Sequence, residues 1–230
     1  MKRLARTRIK AEEAPTDGAG RRLDPDGTKR EILRVARAEF AEKGLSGARI
    51  DEIGARTRTS KRMICYYFGG EEGLYTATLE QVYSDIRAAE AALDLERLPP
   101  KAAMCRLVDF TFDYDQANAD FVRIVSAENF NGARYLKRSE AIRELNRDVL
   151  ESISEILARG YADGTFRRAV EPVDLHHMIS ALCFFRVSNR PTFSEVFGCD
   201  LAEPAAMERH KRMIRNAVLG YLRRDEEHCG

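Results

Sequence analysis

The chain has 230 residues, 44% hydrophobic and 33% charged, with a formal net charge of +1. That length suits one large domain or a small domain joined to a larger one, and the composition suits a soluble helical protein with amphipathic surfaces. No apolar run approaches eighteen residues, and the basic N-terminus lacks the apolar stretch of a secretory signal, so no membrane span is supported and a cytoplasmic protein is expected. Cys65, Cys105, Cys183, Cys199 and Cys229 are scattered without a CxxC pair, so neither a disulfide framework nor a zinc site is expected.

Residues 1–27 carry Lys2, Arg3, Arg6, Arg8, Lys10, Arg21 and Arg22 among Pro, Gly and Asp. With little apolar periodicity they read as a disordered basic arm. Such an arm is either a solvated tail or a segment that follows phosphates or enters a minor groove. A first helix is expected from Asp26-Gly27-Thr28, where Ile32, Leu33, Val35, Ala36, Ala38 and Phe40 form a stripe that Gly44 ends. Ile50 and Ile53 belong to a short second helix. Thr59-Ser60 offers an N-cap for a third, running to about Tyr66, and Gly69-Gly70 breaks the chain again.

Beyond Glu71 the pattern stays helical. One long helix is expected to about Leu95, and others at about 100–117, 119–130, 138–160, 172–188 and 203–224. Pro99-Pro100, Gly160, Asp163-Gly164 and Pro172 separate them. Ser188-Asn189-Arg190-Pro191-Thr192-Phe193 reads as a helix end and turn. Only Thr165 to Val170 has strand character. The fold class is all-α: an N-terminal three-helix head over 28–75 and a larger helical-bundle body over 76–230.

The functional signal lies between Ala48 and Tyr75. From Arg49 to Arg62 there are five basic residues against two acidic ones, in an almost neutral protein. Helix, turn and helix follow in order. Gly54 is small enough for a close helix crossing, and the third helix opens on Ser60-Lys61-Arg62-Met63. A recognition helix needs N-terminal donors that reach base edges while its neighbour rests on the backbone. Lys61 and Arg62 are donors suited to guanine or phosphate, and Tyr66 and Tyr67 carry hydroxyls suited to phosphate oxygens.

This stretch resembles the DNA-binding domain of the TetR family of transcriptional regulators. The likeness rests on an alanine-rich first helix (Ala36, Ala38, Phe40, Gly44), an isoleucine-centred second helix (Ile50-Asp51-Glu52-Ile53-Gly54), the aromatic run Tyr66-Tyr67-Phe68 and the pair Leu74-Tyr75. It covers Thr28 to Tyr75. Three positions depart from the family pattern. Thr57-Arg58-Thr59 stands where Ala-Gly-Val is usual, and Arg at a left-handed position would cost about 1–2 kcal/mol, which predicts a reshaped turn. Cys65 stands where the aromatic run usually starts. Glu71 replaces a phosphate-binding lysine, so no phosphate contact is carried onto it.

The expected DNA-binding residues are Arg49, Thr59, Ser60, Lys61, Arg62, Met63, Tyr66 and Tyr67. The resemblance implies a ligand-responsive regulator, most often a repressor released from a double-stranded DNA operator by a small-molecule effector. It also implies a homodimer built on the last two helices, where Leu175 to Val187 is apolar on nearly every side and Met207, Met213, Ile214, Val218 and Leu222 line the other. The effector pocket is expected between the middle helices, with Phe112, Phe121, Asn129, Phe130, Arg134 and Phe184 as its candidates. Asn129 leads them, as an amide in an apolar stretch that needs a partner. His176 and His177 point about 100° apart on a helix and suit surface or capping roles better than a chelate. There is no P-loop, GxSxG, HExxH or Rossmann glycine pattern, so no enzyme, cofactor or metal is expected. The alternative is a helical interaction module that binds DNA without sequence preference and has no effector.

Overall fold

The computed structural model describes residues 24–223, and ten α-helices account for nearly all of them. They are α1 (Pro25–Gly47), α2 (Ile50–Thr57), α3 (Lys61–Phe68), α4 (Glu71–Ala91), α5 (Pro100–Ala117), α6 (Ala119–Phe130), α7 (Glu140–Ala162), α8 (Pro172–Ser188), α9 (Arg190–Phe197) and α10 (Pro204–Arg223). Residues 1–23 of the basic arm, and Cys229, lie outside the described residues.

Local chemistry explains the boundaries. Helix α1 starts earlier than its apolar stripe suggests, because the Asp24 side chain accepts from the Gly27 amide at 2.9 Å and Pro25 occupies the first turn. Gly44 breaks α1 as expected, with φ 66° and ψ 179°, and one further turn follows. Ser60 caps α3 by accepting from the Met63 amide at 3.3 Å, and the left-handed Gly69 closes it two residues beyond the expected end. Helix α4 stops at Ala91, short of Leu95, which falls in a separate 3-10 turn.

Two sequence expectations are corrected. The Ser188–Phe193 stretch is not simply an end and turn, because Arg190 starts α9 with Pro191 in its first turn, where the missing amide costs nothing. The Thr165–Val170 segment forms no strand. Two of its amides are satisfied by a helix end instead: those of Arg167 and Arg168 donate to the Leu222 carbonyl at 2.9 and 3.2 Å.

The apolar residues form two cores. One joins Ile32, Val35 and Phe40 of α1 with Ile53, Ile64, Leu74 and Tyr75, and continues into Phe121, Val122 and Ile124 of α6. The head is therefore packed as one unit with α4 and α6, on both sides of residue 75. The second core holds α5, α7, α8 and α10 together through Met104, Phe112, Ile153, Ile179 and Val218.

Candidate nucleic-acid interface and the interior of the body

At one tip of the chain, α2 and α3 meet across a three-residue turn, Arg58 to Ser60. Gly54 is buried because the Thr59 carbonyl lies where a Cβ would sit, at 2.6 Å from that position. The turn closes with the Thr59 amide donating to the Gly54 carbonyl at 2.9 Å. Arg58 adopts the left-handed conformation itself, with φ 52° and ψ 32°. The arginine thus occupies the left-handed position rather than avoiding it. Arg58 is exposed, so its guanidinium adds to the basic face.

The candidate DNA-binding residues fall on that face. Arg49, Ser60, Lys61 and Arg62 are exposed, Thr59, Met63 and Tyr67 are half-buried, and the Tyr66 ring is 79% exposed. Ile64 is the fully buried anchor of α3. Lys61 Nζ lies 3.2 Å from Asp51 Oδ2, whereas Arg62 makes no ion pair among the described residues. Tyr66 and Tyr67 meet edge to face, with centroids 5.5 Å apart, and Lys29 Nζ stands 5.5 Å from the Tyr67 ring centre. Behind the face, the buried Glu39 of α1 pairs with Lys43 at 2.7 Å and with Arg56 of α2 at 3.3 Å, fixing α2 against α1. Glu71 and Glu72 open α4. Glu72 accepts from the Tyr135 hydroxyl at 3.0 Å and lies 3.5 Å from Arg134. This acidic first turn is poorly suited to a phosphate, consistent with withholding that role from Glu71.

The six candidate ligand residues do not form one site. Phe112 and Phe121 are buried and Phe184 is half-buried. Asn129 is exposed, so its amide needs no protein partner. Phe130 is 93% exposed and lines a surface groove of about 650 Å³ with α8 and α9 residues, while Arg134 is engaged by Glu72.

A different set of polar groups converges inside the body. Arg87 of α4 is 11% exposed, and its Nε is buried without a hydrogen-bond partner. Glu90, one turn along, forms an ion pair with it. Asp115 of α5 is 3% exposed, and burial pushes its carboxyl up to about 7, against the pull of Arg87. His176 of α8 is half-buried, and burial, then Arg87 and His177, lower its imidazole to about 4. The surface or capping role expected of His176 is thus not what the fold gives it, whereas His177 is exposed. Tyr83, one turn before Arg87, packs edge-on against Phe121 with centroids 5.7 Å apart.

The burial of the acids, though not their meeting with Arg87 and His176, was signalled in the sequence. Glu90 continues the buried stripe Leu79–Val82–Ile86, Asp115 the stripe Met104–Val108–Phe112, and Glu128 the stripe Phe121–Ile124. An acid at the next position of an apolar stripe marks a buried polar group. Helices α8 and α10 divide their apolar residues. Leu175, Ile179, Cys183, Ile214, Val218 and Leu222 are buried in the chain's own core, whereas Leu182, Phe185 and Met213 remain 38%, 48% and 59% exposed.

A short capped helix with basic residues at its start, displayed at the tip of an all-helical chain, defines the class: helix-turn-helix DNA-binding proteins. Residues 32–78 match the family described as bacterial regulatory proteins, tetR family, and residues 100–218 match the tetracyclin repressor-like C-terminal domain. The chain is 34% identical over 199 residues to the HTH-type transcriptional repressor NicS of Pseudomonas putida, covering 86% of this chain and 94% of that one. The chain belongs to the TetR family of transcriptional regulators and is a DNA-binding regulator. Its fold matches a TetR-family regulatory protein from Rhodococcus RHA1 with a TM-score of 0.66 at 16% identity, over 86% and 98% of the two chains. It also matches AibR, solved with isovaleryl coenzyme A and operator DNA, with a TM-score of 0.62 at 13% identity, over 83% and 97%. No helix among the described residues is long and apolar enough to cross a membrane.

Proposed function

We propose that the chain acts as a two-fold dimeric repressor that holds an operator through α3 and releases it when the body takes up a small-molecule effector. The observation that carries the DNA contact is the Ser60-capped start of α3 with Lys61, Arg62 and Tyr66 exposed upon it. Arg49, Thr59, Met63 and Tyr67 complete the proposed surface, in base or phosphate contact. Two half-sites require two heads, and the apolar faces left on α8 and α10 supply a self-complementary surface for the pairing. The effector site is proposed in the interior, beside Phe121, with Phe112 and Phe184 in its surroundings. The exposed Asn129, Phe130 and Arg134 are set aside.

The mechanism is a shift between two body states. Helix α4 runs from the recognition unit into the interior, so a ligand favouring one arrangement around α4 alters the separation of the two α3 helices. Only a separation of about 34–36 Å fits successive major grooves. The effector acts through its difference in affinity for the two states. NicS carries the name repressor, and AibR was solved with both an acyl-coenzyme A and operator DNA, which supports this reading. Footprinting the protein on DNA upstream of its own coding region tests it. A protected two-fold site is expected, and uniform protection of all sequences would overturn the reading.

A further inference from the structure

The interior polar cluster departs from what buried polar groups ordinarily do. Buried donors and acceptors are nearly always hydrogen-bonded, and an unpaired one costs stability. Here Arg87 of α4 contributes such a group. The Arg87 Nε is buried without a hydrogen-bond partner, while its Nη1 is ion-paired with the Glu90 carboxylate. The Asp115 carboxyl and the His176 imidazole likewise make no hydrogen bond among the described residues. Arg87 stands in electrostatic reach of both. A merely structural ion pair would be closed on itself. Glu90 engages the Nη1 side of Arg87 and leaves the Nε unused.

The chemistry of the cluster narrows what would complete it. A guanidinium edge offers parallel N–H donors, whose best complement is a planar carboxylate accepting two hydrogen bonds. Asp115 and a neutral His176 can each donate or accept towards a second polar group. Tyr83, one turn before Arg87 on α4, meets Phe121 edge to face and lends the cluster an apolar flank.

We propose that the effector is a small carboxylic acid whose carboxylate is gripped by Arg87, while Asp115 and His176 read a second polar group upon it. This rests on the body being an effector site and names the chemical class that site accepts. Arg87 is the specificity-determining residue. An otherwise identical neutral ligand leaves its donors unpaired.

The test uses the full-length protein with 3-hydroxybenzoate and benzoate as acids, and 3-hydroxybenzamide and benzyl alcohol as neutral counterparts. Binding is measured by calorimetry, and release by loss of the operator gel shift. The acids are expected to bind and to release operator, with the amide at least tenfold weaker. Arg87→Gln should lose tenfold or more in acid affinity with little change for the amide. Arg87→Lys, which keeps the charge but not the fork, should fall between. Circular dichroism checks that both variants are folded, and the lysine variant carries the test if the glutamine variant is not. Equal binding of acid and amide, or acid affinity unchanged in the variants, overturns the assignment. Release of operator by the neutral compounds alone would sink the acid class yet leave the effector reading standing. Binding of acids in the Arg87-dependent manner without release would uphold the site and sink the effector reading. Failure of all four compounds to bind overturns the acid proposal as stated.

Discussion

Arg37 on α1 grips Asp120 on α6 with two nitrogens, Nη2 lying 3.0 Å from Oδ1 while Nε donates to the other oxygen. Its third nitrogen, Nη1, donates to Asp85 on α4 at 2.9 Å. One side chain thus clamps the first helix of the head to two helices of the body. Arg37 is 18% exposed and the two aspartates somewhat more than a third, so solvent weakens the clamp without abolishing it. Arg37→Ala is expected to cost about 1–3 kcal/mol, below the full cost of orphaning buried charges. Urea unfolding monitored by circular dichroism reads this directly.

Lys61 and Arg62 carry the prediction for DNA. Each alanine variant should weaken operator binding by about 1–3 kcal/mol if the contact is bidentate to a base. Arg62 has no competing ion pair, whereas Lys61 must give up Asp51, so Arg62→Ala should be the more damaging. Titration against operator and random DNA over a salt series separates base contact from phosphate contact, because phosphate contacts set the salt slope. Unchanged affinity in both variants would remove α3 from the interface.

Arg58 gives a prediction in which stability and affinity move oppositely. Glycine relieves the left-handed strain of about 1–2 kcal/mol, less the entropy that glycine adds to the unfolded chain. Arg58→Gly should gain about 0.5–1 kcal/mol in stability while losing operator affinity through its missing charge. Thermal melts and a gel-shift titration on one preparation are sufficient.

Stability should vary with pH through Asp115 and His176 in opposite directions. The folded-state carboxyl of Asp115, at about 7, lies above its ordinary 3.8, so the folded chain holds that proton more tightly. On its account stability falls as pH rises from about 4 to about 7. The His176 imidazole, at about 4, lies below its ordinary 6.5, so its contribution falls as pH drops from 6.5 towards 4. Asp115→Asn should therefore gain most over the parent above pH 7, and His176→Gln below pH 5, each by about 1–3 kcal/mol. Denaturant midpoints across pH 4–8 provide the check. Coincident profiles for parent and variants would contradict it.

Leu182 and Met213 test the pairing of protomers. Leu182→Asp with Met213→Asp puts charge on the exposed apolar faces of α8 and α10 without touching the buried residues beneath. The doubly substituted chain should elute at half the mass of the parent, and its operator affinity should fall with the loss of the second head.

Much of the fold was legible because amphipathic stripes and caps are local. The order and type of the main helices, the cap at Ser60 and the break at Gly44 all follow from residues within a few positions. Helix α9 was hidden because Pro191 reads as a stop, although proline is equally at home in a first turn. The exposed start of α3 was legible for the same local reason. The interior cluster was not, because Arg87, Asp115 and His176 come from three helices and meet only once those helices pack. The exposure of Asn129 was not legible, because it stands beside an apolar neighbour in sequence, Phe130, and only the fold turns both side chains outward.

The continuity of Ile32, Val35 and Phe40 with Phe121, Val122 and Ile124 bears on any attempt to move the reading head to another regulator. A graft cut after α4 would carry away half of a greasy joint and leave it wet. Hybrids that bring α6 along with the head, or copy its inward-facing residues into the recipient, should remain well behaved where a simple splice clumps.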